Sequence, residues 1–180
     1  SSAASDVYKR QGYWYGQVAG AKVGEEYRFV LVNGDQVISR IDPYARHVTS
    51  SIGNAIITDP DAYDWEGDDF TAPTLNEMVI YEMHVGTFFD KDPDDDKPAT
   101  LDTIEEKLDH LVHLGINAIE LMPLMEFAGD YSWGYNPAHI FAVESAYGGP
   151  EKLRDLVKVC HRHGLAVIID VVYNLSLIHI

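Results

Sequence analysis

The sequence has 180 residues, 46% hydrophobic and 23% charged, an ordinary balance for a globular chain and enough for one sizeable core or two small ones. Its net charge of −16 argues against nucleic acid or anionic membranes as partners, since both need basic surface, and no apolar run approaches membrane-spanning length. The single cysteine, Cys160, excludes a disulfide framework within the chain and reads as a small buried apolar residue of an amphipathic helix.

The two ends are set apart first. Ser1–Gln11 (SSAASDVYKRQ) and Leu175–Ile180 (LSLIHI) resemble translations of a transposon-end sequencing adapter read on opposite strands. The native segment is therefore expected to run from Gly12 to Asn174, as an internal piece of a longer protein.

From Gly12 to about Tyr44 the pattern is β-like. Tyr13, Trp14 and Tyr15 form a short aromatic run, of which Tyr13 and Trp14 are expected to pack in a core in preference to stacking on a sugar ring. Glu26–Val32 partly alternates polar and apolar residues, Asn33-Gly34 signals a hairpin, and Gln36–Ile41 is the return strand. Two or three strands do not make a stable sheet alone, so preceding sequence is expected to complete a sandwich. His47–Asn76 has little periodicity beyond a short Ile56-Ile57 strand, and reads as a surface-wrapped linker anchored by Tyr63, Trp65 and Phe70.

Val79–Val85 (VIYEMHV) is the next predicted strand. The acidic loop Asp90–Pro98 lacks the glycine and glutamate that a calcium loop places at its sixth and twelfth positions. Leu101, Ile104, Leu108, Leu111 and Leu114 fall on one face of a predicted helix, with Asp102 and Glu105 as a capping pair and Gly115 as its stop. Ile116–Met122 (INAIELM) follows as a strand closed by Pro123. Leu124–Gly149 is expected to be a long irregular loop carrying Ser132-Trp133-Gly134-Tyr135-Asn136-Pro137, and such loops are usually functional. Pro150 opens a second helix, with Leu153, Leu156, Val157 and Cys160 facing inward and Gly164 ending it. The apolar run Ala166–Val172 is the last strand.

Strand, helix, strand, loop, helix, strand implies a parallel sheet with right-handed crossovers, and periodicity leaves open sheet and closed barrel both available. No Gly-x-Gly-x-x-Gly follows a strand, and no Cys or His cluster has zinc spacing. His110, His113, His161 and His163 read as polar helix faces or helix C-terminal charges. Asp170 near a strand's carboxyl end is either a turn-capping residue or a chemical group, and spacing does not choose between them.

Four stretches taken together resemble glycoside hydrolase family 13, the α-amylase family. Ile80–Phe88 (IYEMHVGTF) resembles the first barrel strand of its branching-enzyme and trehalohydrolase members, and Gly115–Pro123 (GINAIELMP) the second. Trp133-Gly134-Tyr135 resembles the following loop, and Asp170-Val171-Val172-Tyr173-Asn174 the short motif ending the third strand, which normally finishes in His where Leu175 stands. Tyr13–Ala45, with Arg40–Ala45 (RIDPYA), is similar to the end of a carbohydrate-binding module family 48 domain.

The resemblance implies an α/β fold: the first three βα units of a (β/α)8 TIM barrel, preceded by the end of a β-sandwich. It divides the chain into adapter (1–11), module end (12–48), linker (49–77), barrel start (78–174) and adapter (175–180). It implies a fragment of an α-glucan-active glycosidase or transglycosidase, branching-enzyme-like, with trehalohydrolase or α-amylase as the alternative and a noncatalytic glucan-binding relative as the alternative of another class. The substrate would be an α-1,4-linked glucan or maltooligosaccharide, the address cytoplasmic, and no cofactor or metal is implied. Tyr135 would stack under the sugar, with Trp133 nearby, Asp170 would support that subsite by hydrogen bonding, and Asn174 would brace the same loop, or ligate calcium as in the true amylases. The nucleophilic Asp, acid/base Glu and second Asp of the family would lie beyond Asn174, so this chain alone is expected to be inactive.

Overall fold

The computed structural model describes residues 7–10 and 13–174. β1 (Val7–Arg10) pairs antiparallel with β2 (Tyr13–Gly16) as a two-stranded sheet of their own. Val7–Arg10, within the adapter-like stretch, are thus one arm of a hairpin; the other adapter-like residues, 1–6, 11 and 175–180, lie outside the described residues. β3 (Glu26–Tyr27), β4 (Phe29–Asn33) and β5 (Gln36–Arg40) follow, and β6 (Ala55–Ile56) pairs back onto β3. β4 and β5 form the expected hairpin, but its two turn residues are Gly34 and Asp35, with Asn33 opposite Gln36. Gly34 takes φ 58°, the conformation that such a tight turn requires. Trp14 is 68% exposed, which overturns the core-packing expectation for that residue. A two-stranded ladder buries neither face by itself.

The remainder is organised by a parallel sheet. β7 (Ile80–Met83) leads into the short α1 (Val85–Phe88), then α2 (Leu101–Glu105) and α3 (Leu108–His113). β8 (Ala118–Leu121) follows, then β9 (Met125–Phe127), β10 (Pro137–Val143), α4 (Gly149–Arg162) and β11 (Ala166–Ile169). β8 is central, with β7 and β11 parallel on either side, in the order the pattern predicts. Asn117 secures the entry to this sheet: its side chain accepts from the Val79 amide at 2.6 Å and donates to the Glu77 carbonyl at 2.9 Å.

Alternation decides which side chains meet the helices. Tyr81 and Met83 of β7, and Ile119 and Leu121 of β8, join Leu101, Ile104, Leu108, Leu111, Leu156, Cys160 and Leu165 in one core. Fully burying a leucine of this kind contributes about 1.5–3 kcal/mol. Cys160 is fully buried, and burial pushes its thiol up to about 12, so it behaves as an apolar side chain. A smaller cluster of Ala45, Val48, Ala55 and Ala142 joins the N-terminal β region to β10.

Four expectations are corrected here. The helix predicted over 101–114 breaks between α2 and α3, where Lys107 sits over the Phe89 ring at 3.7 Å and Glu106 pairs with Lys91. These contacts from the preceding loop compete with helical continuity, yet Leu101, Ile104, Leu108 and Leu111 still face the core. Leu114 does not: it is the C-cap residue, where the chain turns away, and is 57% exposed. The helix start is Thr100, without a side-chain cap, so the Asp102/Glu105 capping pair does not form. Finally, 124–149 is not irregular: β9 and β10 pair antiparallel with two register shifts, and a 3-10 turn spans Ser145–Tyr147.

Residues 63–70 lie along the outer side of α4. The Tyr63 hydroxyl donates to Asp155 at 2.7 Å, Phe70 stacks on His161 with centroids 4.3 Å apart, and Glu66 meets Lys158 and Arg162.

Candidate active site

The carboxyl ends of the three parallel strands carry the polar side chains of interest. In such sheets this edge is where ligands bind, because loops of free length leave it and side chains at the strand ends converge there. Asp170 directly follows β11, and its amide donates to the Leu121 carbonyl at 3.0 Å, one step beyond the β8–β11 ladder. Its carboxylate accepts from the Tyr135 hydroxyl at 2.9 Å. Tyr135 is thus drawn from the β9–β10 hairpin tip onto the strand end.

The tip is held by local chemistry. Gly134 takes φ 86°, and a Cβ there would lie 2.2 Å from the Pro123 carbonyl oxygen, so only glycine fits this crossing. The Ser132 hydroxyl donates to Asn136 Oδ1 at 2.5 Å and accepts from the Gly134 amide at 3.1 Å. His84, at the end of β7, lies with Nε2 2.8 Å from the Ser132 carbonyl. A carbonyl only accepts, so Nε2 carries the hydrogen and Nδ1 is left to accept from the Thr87 hydroxyl, 3.0 Å away. The Tyr147 oxygen is also 3.1 Å from Nε2.

The face of the sheet turned away from the helices is acidic. Glu82 and Glu120 are register partners on adjacent strands, and Asp170 is two residues beyond Ile168, the β11 partner of Glu120. The Tyr135 phenol is raised above its ordinary range, first by its bond to Asp170, then by desolvation and by the charges of Asp170, Glu82 and Glu120. At neutral pH it stays a hydroxyl and donates.

The structure brings Tyr135 and Asp170 together. Trp133 does not reach them: it is 73% exposed, beside His84, Thr87, Pro98, Asp130 and Tyr131 in a neighbouring cleft. Asn174 is exposed and lies past the carboxyl end of β11. Sequence reasoning missed Glu82, Glu120 and His84, although period-two alternation within Ile80–Met83 and Ala118–Leu121 already places both glutamates opposite the apolar residues. It also missed Glu126 and Glu144, buried at the base of the hairpin, since carboxylates seldom signal burial.

Residues 83–177 match the family described as alpha amylase, catalytic domain, a span of more than half the chain. The chain belongs to the α-amylase family, glycoside hydrolase family 13. It is 36% identical over 165 residues to a malto-oligosyltrehalose trehalohydrolase of Saccharolobus solfataricus, covering 91% of this chain and 28% of that protein. It is 33% identical over 175 residues to a 1,4-alpha-glucan branching enzyme of Pseudoalteromonas atlantica, covering 88% and 23%. Among solved structures it resembles the pullulanase of Bacillus acidopullulyticus, with a TM-score of 0.76, 27% identity, and coverage of 95% of this chain and 25% of that one. The chain thus spans about a quarter of the length of these relatives. Among the described residues no helix is long and apolar enough to cross a membrane.

Proposed function

We propose that this chain is the substrate-binding start of a family 13 catalytic barrel, within a parent that acts on α-1,4-linked glucans. The observation that carries the reading is the Tyr135–Asp170 hydrogen bond, which joins two polar side chains at the strand-end edge where such enzymes bind. Tyr135 offers a partly exposed ring for sugar stacking, and its hydroxyl is fixed by Asp170. Asp170 retains a second oxygen that can accept from a sugar hydroxyl. Trp133 and Asn174 would add contact at the margins of the same edge.

Three parallel strands give an open sheet, and five further βα units would close it into a (β/α)8 barrel. Residues 12–48 would be the end of a family 48-like module, 49–77 a linker, and residues 1–11 and 175–180 non-native adapter. A retaining double displacement needs two carboxyl groups about 5 Å apart across the glycosidic bond. In this reading that pair comes from strands after Asn174, so the chain alone binds without turning over. Branching is the first reaction to test and release of trehalose from maltooligosyl trehalose the second, as the relatives' names span both. The same proposal places the parent in the cytoplasm.

The test is product analysis with the full-length parent. Incubation with linear α-1,4-glucan and with maltooligosyl trehalose is expected to give new branch points or free trehalose. No change in either substrate would overturn the reading. The 180-residue chain is expected to bind maltotetraose and leave it intact.

A further inference from the structure

Glu126 and Glu144 are 1% and 0% exposed, the two charged residues found in the core among the described residues. They cross at the base of the β9–β10 hairpin. Glu126 Oε2 accepts from the Ser145 amide at 2.7 Å and Oε1 from the Ser145 hydroxyl at 3.2 Å. Glu144 Oε2 accepts from the Phe127 amide at 3.0 Å and Oε1 from the Ala146 amide at 2.9 Å. Glu126 of β9 thus holds the backbone just past β10, and Glu144, just past β10, holds β9 and the turn that follows Glu144 itself.

The ladder needs this help. Only Pro137–Phe127, His139–Glu126 and Val143–Met125 are in register, with shifts between them. A slip of one residue would turn every side chain on the tip to the other side. The crossed bonds prevent it, and they extend further. Glu144 caps the 3-10 turn holding Tyr147, whose oxygen meets His84 Nε2, and His84 holds the Ser132 carbonyl in the tip.

We infer that Glu126 and Glu144 are positioning residues: a crossed carboxylate brace that sets loop 128–136 and thereby aims Tyr135 at Asp170. The identity of the ligand that Tyr135 meets rests on the glucan reading above; the brace itself does not.

The two acids are not equivalent. Both oxygens of Glu144 accept from backbone N–H groups, so Glu144→Gln points an NH2 at an N–H and loses one bond. One oxygen of Glu126 meets a hydroxyl, which can reverse and accept, so Glu126→Gln keeps both bonds. Burial, with the charge of Glu144 next and that of Asp130 adding to it, pushes the Glu126 carboxyl up to about 7. The groups facing the pair are Asp130, Tyr147 and, across the ladder, His139, which lies against the Ser51 carbonyl at 3.0 Å. As pH rises through about 7 Glu126 gains its charge against that of Glu144, and the loop they hold loosens.

The experiment is hydrogen exchange by mass spectrometry on the 180-residue chain and its Glu144→Gln and Glu126→Gln variants, with residues 128–136 compared with β8 and α4. Glu144→Gln is expected to lower protection of 128–136 about tenfold, as for one lost buried hydrogen bond, while β8 and α4 stay within about twofold. Equal loss everywhere, or none in the loop, would overturn the brace. The second variant decides the matter where Glu144→Gln does not fold. Wild-type loop protection, relative to α4, is expected to fall between about pH 5 and about pH 8, and that of Glu126→Gln is expected to fall less, since Glu144 still titrates there. The same pH response in both proteins would overturn the inference. Maltotetraose titration separates the two proposals: no sugar binding with the exchange pattern intact removes the glucan reading and leaves the brace, and binding without the exchange pattern does the reverse.

Discussion

Tyr135 and Asp170, 35 positions apart, meet through a 2.9 Å hydrogen bond in which the phenol donates and the carboxylate accepts. The bond links the tip of one hairpin to the end of a parallel strand. It fixes the ring's hydroxyl edge while the residue stays partly exposed.

Asp170→Ala removes the leading cause of the raised Tyr135 phenol, so its titration is expected to move down toward the ordinary value. The charges of Glu82 and Glu120 leave part of the shift in place. A difference ultraviolet titration of the two proteins reads this out. An unchanged profile would mean the bond does not form in solution.

Gly134→Ala forces a side chain into a positive φ and against the Pro123 carbonyl. The expected cost is about 1–3 kcal/mol, confined to the hairpin tip. Urea denaturation gives the cost, and loss of Tyr135 titration behaviour shows where it falls. By contrast Leu156→Ala, in the core under the sheet, is expected to cost about 2–5 kcal/mol and loosen the whole helical face.

The parallel strands were legible because Ile116–Met122 and Ala166–Val172 are mostly apolar runs bounded by glycine or proline, and Leu101, Ile104, Leu108 and Leu111 repeat at helical spacing. The hairpin at 125–143 was not legible. Its ladder is broken by register shifts, and Glu126 and His139 interrupt any alternation. The break at Lys107 coincides with contacts to Phe89 and Lys91 of the preceding loop, which no local pattern announces. Of the site, Tyr135 and Asp170 were reached through the family's motifs, whereas Glu126 and Glu144 depend on which backbone amides fold back over them.

The raised Glu126 carboxyl also makes global stability depend on pH. The folded state holds its proton to about 7, against 4.5 for the ordinary group. Between those values the native chain binds more protons than the unfolded one, so this group's stabilising contribution is full below about 4.5 and is lost as pH rises through about 7. Glu144 is raised as well, chiefly by burial, and adds in the same direction. Denaturant midpoints across this window are expected to fall with rising pH in the wild type, and to fall less in Glu126→Gln. Equal slopes would assign the pH dependence to other groups.

The central claim is that Tyr135 belongs to a glucan-binding site, and its most direct test is turnover of a linear α-1,4-glucan by the full-length parent carrying Tyr135→Ala. Loss of one stacking ring and its anchored hydroxyl is expected to lower kcat/KM by about a hundredfold or more, while the melting temperature falls only a few degrees. Near-normal turnover with a clearly lowered melting temperature would make Tyr135 a packing residue of its own loop and contradict the account.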